Sequence, residues 1–205
     1  MKDLIIGIDQ SYTNFGIAII YSKENIDAKS IDLSKFQNKI EKRLAVREAL
    51  ENMLFTFANK YFANKYNVKI IFERIRTFSV QAGGSQGFGL KPHYMIDTGK
   101  MIGTIIDIAY RYNVKCYSVD TRSWKSQVVG TTKSYLGDNK YYTVQYVQNE
   151  LKIDCRRSSS SGEVLKYIRG KNAGKIKYDD DKADAICIGL YGLLDGNKQK
   201  LNLEE

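Results

Sequence analysis

Histidine and cysteine are scarce in this chain, with one His and three Cys in 205 residues. His93 is the only histidine, and a solitary loop histidine is a weak candidate for chemistry. Cys116, Cys155 and Cys187 are odd in number, far apart and free of any C-x-x-C spacing. That pattern suits reduced thiols rather than disulfides or a zinc site. No apolar run approaches the length a membrane span needs. Met1 to Leu4 lead straight into a strand-like segment without the basic, apolar and small-residue succession of a secretory leader. The expectation is a cytoplasmic protein with no membrane partner. The glycines of GGSQGFG (83–89) are followed by no G-K-[ST], so they read as a flexible stretch and not as a phosphate loop.

What is abundant is positive charge. Lys and Arg number 32 against 23 acids, a net charge of +9, which favours polyanionic partners and salt-sensitive binding if that partner is nucleic acid. Hydrophobic residues make up 43% of the chain, enough to exclude wholesale disorder. The length suits a single α/β domain with insertions, here 1–205.

Leu4 to Asp9 (LIIGID) and Gly16 to Tyr21 (GIAIIY) are apolar runs joined by the turn chemistry of SYTNFG, which predicts a hairpin. A third strand is expected near Ala28 to Leu33. From Lys39 to Tyr66, the residues Ile40, Leu44, Val46, Leu50, Met53, Leu54, Phe57 and Tyr61 recur at helical spacing. Val68 to Phe72 predicts a buried strand. Met101, Ile102, Ile105, Ile106, Ala109 and Tyr112 predict a helix beginning after Asp97 or Thr98, and Lys115 to Val119 the next strand. Helices near Lys140 to Leu151 and Asp180 to Leu194 complete the order βββαβαβαα. A three-strand meander followed by α/β alternation predicts an α/β ribonuclease H-like fold, a mixed five-stranded sheet flanked by helices. Two stretches, near 77–96 and 154–177, read as mobile loops.

Asp9 and Glu73 each end an apolar strand, where a buried carboxylate is costly unless a cation or donors satisfy it. Alone, each is ordinary chain punctuation. The last helix is apolar almost all round, yet it carries Asp184 inside the run and Asp181 one turn earlier on the same face. Asp179 and Asp180 fit the positive end of a helix, which does not explain Asp184. Carboxylates brought together repel and rise in pKa unless divalent cations neutralise them. Hard oxygen ligands suit Mg²⁺ or Mn²⁺, and two such ions per site support in-line hydrolysis of a phosphodiester.

These residues resemble a known family. GIDQSYTNFGIAII is similar to the first hairpin of the RuvC Holliday junction resolvases, IIFERI to their second-acid strand, and DKADAICIGLYG to their final helix with its D-x-x-D-A pair. RSWKSQVVG resembles the family's basic segment and KYYTVQYVQNEL the helix that follows, with insertions at 79–94, 131–139 and 158–174. The similarity is to the phage branch, in particular the lactococcal phage proteins, which implies the host cytoplasm as location. The resemblance implies that Asp9, Glu73, Asp181 and Asp184 are metal-binding catalytic acids, with Asp180 the alternative to Asp181. It further implies that Lys125 and Lys140, or Lys133 in place of Lys140, contact the scissile strand, with Arg122 in the same basic segment. The family's bacterial pattern has Pro-Gly after the first Asp, where this chain has Gln10 and Ser11. It has an aromatic shortly after the Glu, where this chain has Arg76, with Phe78 displaced by two.

Residues 154–177 hold seven cations (Arg156, Arg157, Lys166, Arg169, Lys171, Lys175 and Lys177) against Asp154 and Glu163, so more than half of the net charge sits there. Such a segment suits a duplex arm, the alternative being a solubilising loop. Phe78, Phe88 and Tyr94 are candidates to stack on an unpaired base, whereas Trp124 suits the core. The expected partners are four-way junction DNA, whose approximate two-fold symmetry matches a homodimer, and no small-molecule substrate. The alternatives are a nuclease on RNA/DNA hybrids, or a non-catalytic basic DNA-binding module with vestigial acids. A two-domain actin-like kinase does not fit in 205 residues.

Overall fold

The computed structural model describes residues 2–61, 66–74, 92–130, 142–159, 161–170, 172–194 and 202–204. Strand β1 (Lys2–Asp9) is central because Leu4, Ile5, Ile6 and Ile8 are apolar on both faces, and all four are fully buried. It pairs antiparallel with β2 (Asn14–Ile20) and parallel with β4 (Tyr66–Glu73). Outside these lie β3 (Ile26–Asp32) beside β2 and β5 (Lys115–Val119) beside β4. All five expected strands are present. A short sixth, β6 (Asn202–Glu204), adds antiparallel to β5 and gives the order β3-β2-β1-β4-β5-β6.

Helices cover both faces of the sheet. On one, Leu4, Ile6, Ile8, Val68, Ile70 and Phe72 pack with α1 (Lys39–Tyr61) and α2 (Pro92–Arg111). On the other, Ile5, Ala18, Ile20 and Ile71 pack with three further helices: α3 (Thr121–Trp124), α4 (Tyr142–Glu150) and α5 (Asp180–Leu193). Lys125–Val129 continues α3 as a π-helical turn. Each fully buried Ile, Leu or Phe contributes about 1.5–3 kcal/mol.

Two helix expectations need correction. The buried stripe of α1 is Val46, Leu50, Leu54 and Phe57, while Ile40 and Leu44 are exposed. The first turn is held instead by polar contacts, Lys39 pairing with Asp97 and Lys42 Nζ donating to the Tyr12 carbonyl at 2.9 Å. Helix α2 begins at Pro92 and not after Asp97, because proline suits the first helical turn, where its missing N–H leaves no bond unmade.

Helix α5 lies unusually close to the sheet, and glycines permit it. A Cβ on Gly7 would stand 2.2 Å from the Ala185 carbonyl oxygen, and one on Gly16 would stand 2.0 Å from that of Asp181. The absence of two side chains thus sets where the helix carrying Asp181 and Asp184 can sit.

Candidate functional site

Strand alternation aims the first two acids. Ile5, Gly7 and Asp9 share one face of β1, and Ile71 and Glu73 share the same face of β4. Ile5 and Ile71 belong to the cluster under α5, so Asp9 and Glu73 face that helix. The parallel register pairs Ile8 with Phe72, which places the two carboxylates at adjacent strand ends. Asp9 in turn pairs with Gly16, the residue pressed against the Asp181 carbonyl. Asp184 follows one turn later. All four expected acids therefore converge at one end of the sheet.

Each carboxylate but one has polar partners. Thr121 Oγ1 donates to Glu73 Oε1 at 2.5 Å and Trp124 Nε1 to Oε2 at 3.2 Å. Gln10 Nε2 donates to the Glu73 carbonyl and so ties the ends of the two acid-bearing strands together. Asp184 bonds to the Thr143 side chain, and its Oδ2 lies 4.0 Å from Lys125 Nζ. Its Oδ1 is buried with no hydrogen-bond partner among the described residues. Asp181 Oδ2 accepts from Arg157 Nη2 at 3.1 Å. In this arrangement no three carboxylates among the described residues stand close enough to grip one ion, and Glu73, Asp181 and Asp184 each turn to a separate partner.

Among the described residues, Asp9 is the exception. Burial, then Asp184, Asp181, Glu73 and Asp180, all push its pKa well above the usual carboxylate range, and no cation is among these influences. Asp181 is pushed up to about 6, by burial first and then by Asp180, against the pull of Arg157. Asp184 is also pushed up to about 6, chiefly by burial, with Lys125 and Thr143 opposing and Glu73 and Asp180 adding to it. Asp180 adds its negative charge to the influences on all three. For Lys125, burial works to lower the pKa but is outweighed by Asp184 and the hydrogen bond to Tyr142, so the net shift is upward. Its ammonium also lies over the Trp124 and Tyr142 rings, at 4.9 and 5.1 Å from their centroids.

A stability signature follows from the raised carboxyls. A folded-state pKa above the unfolded value gives stability that is fully present below the ordinary value of 3.8 and lost as pH rises through about 6. The metal-free protein is therefore expected to have a lower Tm at pH 7.5 than at pH 5. Mg²⁺ should restore more at the higher pH, because the ion binds only ionised acids. Differential scanning fluorimetry in EDTA and in Mg²⁺ checks both, and a Tm flat or rising from pH 5 to 7.5 in EDTA contradicts it.

The basic residues fall into three groups. Arg122, Lys166, Arg169 and Lys175 are exposed, and Lys177 is half-buried with its ammonium 5.5 Å from the Tyr167 ring centroid. Arg156 is exposed but paired with Asp154 at 2.8 Å. Arg157 points inward to Asp181 and not toward solvent. Arg76, Phe78, Phe88, Lys133, Lys140 and Lys171 lie outside the described residues. Trp124 is fully buried and so serves Glu73, not a base; Tyr94 and His93 are exposed on the first turn of α2.

The segment 154–177, expected as a loop, has a closed hydrogen-bonding pattern. Arg156 bridges Tyr178, Ser158 bridges Val164, and Lys166 bridges Ile176, all antiparallel. At the centre three backbone bonds form a ring: Arg157 N to Lys177 O at 2.9 Å, Lys177 N to Leu165 O at 2.9 Å, and Leu165 N to Arg157 O at 2.8 Å. Three short arms thus meet in a knot immediately before α5. Composition conceals it because backbone bonds, not an apolar alternation, hold it together.

Comparison by sequence finds no matching family model and no matching curated protein. Among the solved structures with a similar fold are two of Thermus thermophilus RuvC. One superposes with a TM-score of 0.55 at 14% identity, covering 98% of this chain and 99% of that one. The other, RuvC in complex with a Holliday junction substrate, superposes with a TM-score of 0.59 at 13% identity over the same shares. The chain has the RuvC fold. The ribonuclease H-like sheet expected from the strand order is the one observed. The same RuvC fold makes intelligible why acids so distant in sequence share one sheet end.

Proposed function

We propose that this chain is a metal-dependent endonuclease that hydrolyses phosphodiester bonds in four-way and other branched DNA. The observation that carries the reading is the convergence of Asp9, Glu73, Asp181 and Asp184 beneath α5. Burial raises three of them, and Asp9 faces only like charge among its main influences. An all-oxygen donor set fits Mg²⁺ or Mn²⁺, and the buried, unpartnered Asp184 Oδ1 is a lone-pair site free to serve as a ligand. Asp9, Glu73 and Asp184, with Asp181 or Asp180, would hold two ions, which supply Lewis acidity and a nucleophilic water for in-line attack. Thr121 and Trp124 fix the Glu73 carboxylate. Lys125, at the rim beside Asp184, is placed to neutralise a phosphate of the scissile strand.

The exposed Lys166, Arg169 and Lys175 of the knot, with Arg122, supply a basic surface for a duplex arm. RuvC of Thermus thermophilus has been captured on a Holliday junction substrate, which supports the same class of ligand here. For paired nicks we propose a homodimer. Ile40 and Leu44 of α1 are exposed, the Lys39–Asp97 ion pair brings them beside α2, and Ile96 is exposed there too. A second copy of the chain would cover this apolar patch.

The test is cleavage of a labelled synthetic four-way junction beside linear duplex and an RNA/DNA hybrid, in Mg²⁺, in Mn²⁺ and in EDTA. Metal-dependent cutting of the junction with the linear duplex intact is the expected result. Preferential cutting of the hybrid overturns the substrate, and tight junction binding without cutting in either metal favours a basic binding module.

A further inference from the structure

Among the described cations of the basic segment, Arg157 is built differently from the rest. Its backbone belongs to the ring of three hydrogen bonds at the centre of the knot. Its side chain reaches in three directions: Nε donates to the Tyr178 carbonyl at 3.2 Å, Nη1 to Asn14 Oδ1 at 3.2 Å, and Nη2 to Asp181 Oδ2 at 3.1 Å. Nη2 also lies 3.8 Å from Asp179 Oδ1. Asn14 is buried at the start of β2. Asp179 caps α5 by accepting from Lys182 N at 3.0 Å, and it accepts from Ser30 Oγ at 2.5 Å. One guanidinium therefore joins the knot, the first hairpin and the first turn of the acid-bearing helix. Its planar fork is suited to holding carboxylates in a fixed orientation, which a lysine cannot reproduce.

We propose that Arg157 is a positioning residue that holds Asp181 in reserve. It is an internal cation on one oxygen of that carboxylate, so the DNA-free chain loads one divalent ion readily and a second only weakly. The proposal rests on the metal-centre reading above. The first ion would draw together Asp9, Glu73 and Asp184, none of which is among the partners of Arg157. A second ion that draws on Asp181 must displace the guanidinium from Oδ2 or share the carboxylate with a like charge at hydrogen-bond range, and either lowers its affinity.

The test uses Mn²⁺ alone, titrated into the full-length chain without DNA, with free Mn²⁺ read by electron paramagnetic resonance. Wild type, Arg157→Gln, Arg157→Lys and Asp181→Asn are compared, and thermal unfolding establishes that each is folded. One tight and one weak site are expected for wild type. In Arg157→Gln the weak site should tighten by about tenfold as the competing charge is removed. Arg157→Lys, which keeps the charge and loses the fork, should keep the weak site, and Asp181→Asn should lose it while retaining the tight one. Superimposable isotherms for wild type and folded Arg157→Gln overturn the proposal and leave the metal centre standing. If Arg157→Gln does not fold, a tight second site in Arg157→Lys, or a weak site that survives in Asp181→Asn, overturns it equally. No Mn²⁺ binding by any form overturns the metal centre itself, and this inference with it.

Discussion

Asp9→Asn is expected to abolish cleavage, by about a thousandfold or more, while junction binding survives and the metal-free protein becomes more stable. The three effects have one cause. Asp9 is the carboxylate on which burial, Asp184, Asp181, Glu73 and Asp180 all press in the same direction. Replacing it with a neutral isostere removes a buried negative charge from among like charges, which favours the folded state wherever Asp9 would have been ionised. On the proposed metal centre the same replacement removes a ligand, and loss of several kcal/mol of transition-state stabilisation is a thousandfold at about 1.4 kcal/mol per decade. Binding should be spared because the exposed cations of the knot and Arg122, proposed to hold the DNA, are untouched. The sign of the stability change is set by a raised pKa. The gain in Tm over wild type in EDTA should be largest at pH 7.5 and shrink toward pH 5, where the carboxyls are increasingly protonated. Loss of cleavage and binding together in a folded Asp9→Asn protein contradicts this.

Gly16→Ala is the second large effect, and it acts through backbone. The added Cβ would lie 2.0 Å from the Asp181 carbonyl oxygen and 2.6 Å from its carbon, with the Ala185 Cβ 3.1 Å away. Neither the strand nor the helix can yield like a flexible side chain. Overpacking typically costs about 1–3 kcal/mol, and a backbone clash between two regular elements belongs at or above the top of that range. If the protein still folds, α5 must move at Asp181, so activity should fall as well. Gly103→Ala supplies the contrast. Gly103 lies within α2 with nothing within 4 Å of its would-be Cβ, so alanine there should stabilise by roughly 0.5–1 kcal/mol. Denaturant unfolding of the pair checks both signs, and a Gly16→Ala protein as stable and active as wild type would show that α5 does not approach the sheet as described.

The parts of this molecule legible in its sequence are those whose physics is local. β1, β2 and β4 announce themselves as apolar runs because both faces of the central sheet are covered. The acids stood out because carboxylates at buried strand ends and inside an apolar helix conflict with their surroundings. What escaped reading depends on residues that meet only in the folded chain. Nothing in TRSW announces that Thr121 and Trp124 serve Glu73. Arg157 reads as one more cation in a basic stretch until Asp181 and Asn14 are placed on either side of it. The knot and β6 are made of backbone bonds between short polar segments, which leave no periodicity to detect. Ile40 and Leu44 fit the helical stripe of α1, but the first turns of that helix are held by Lys39 and Lys42, so the pattern overstated how much of the helix is covered.

Asp9, Glu73 and Asp184 are expected to bind divalent ions jointly. Anomalous scattering from crystals soaked in Mn²⁺ measures it directly. Manganese peaks bounded by Asp9, Glu73 and Asp184, absent from Asp9→Asn crystals treated in the same way, are the predicted result. Saturating Mn²⁺ that leaves this end of the sheet without a peak, in crystals whose carboxylates are open to solvent, would contradict it.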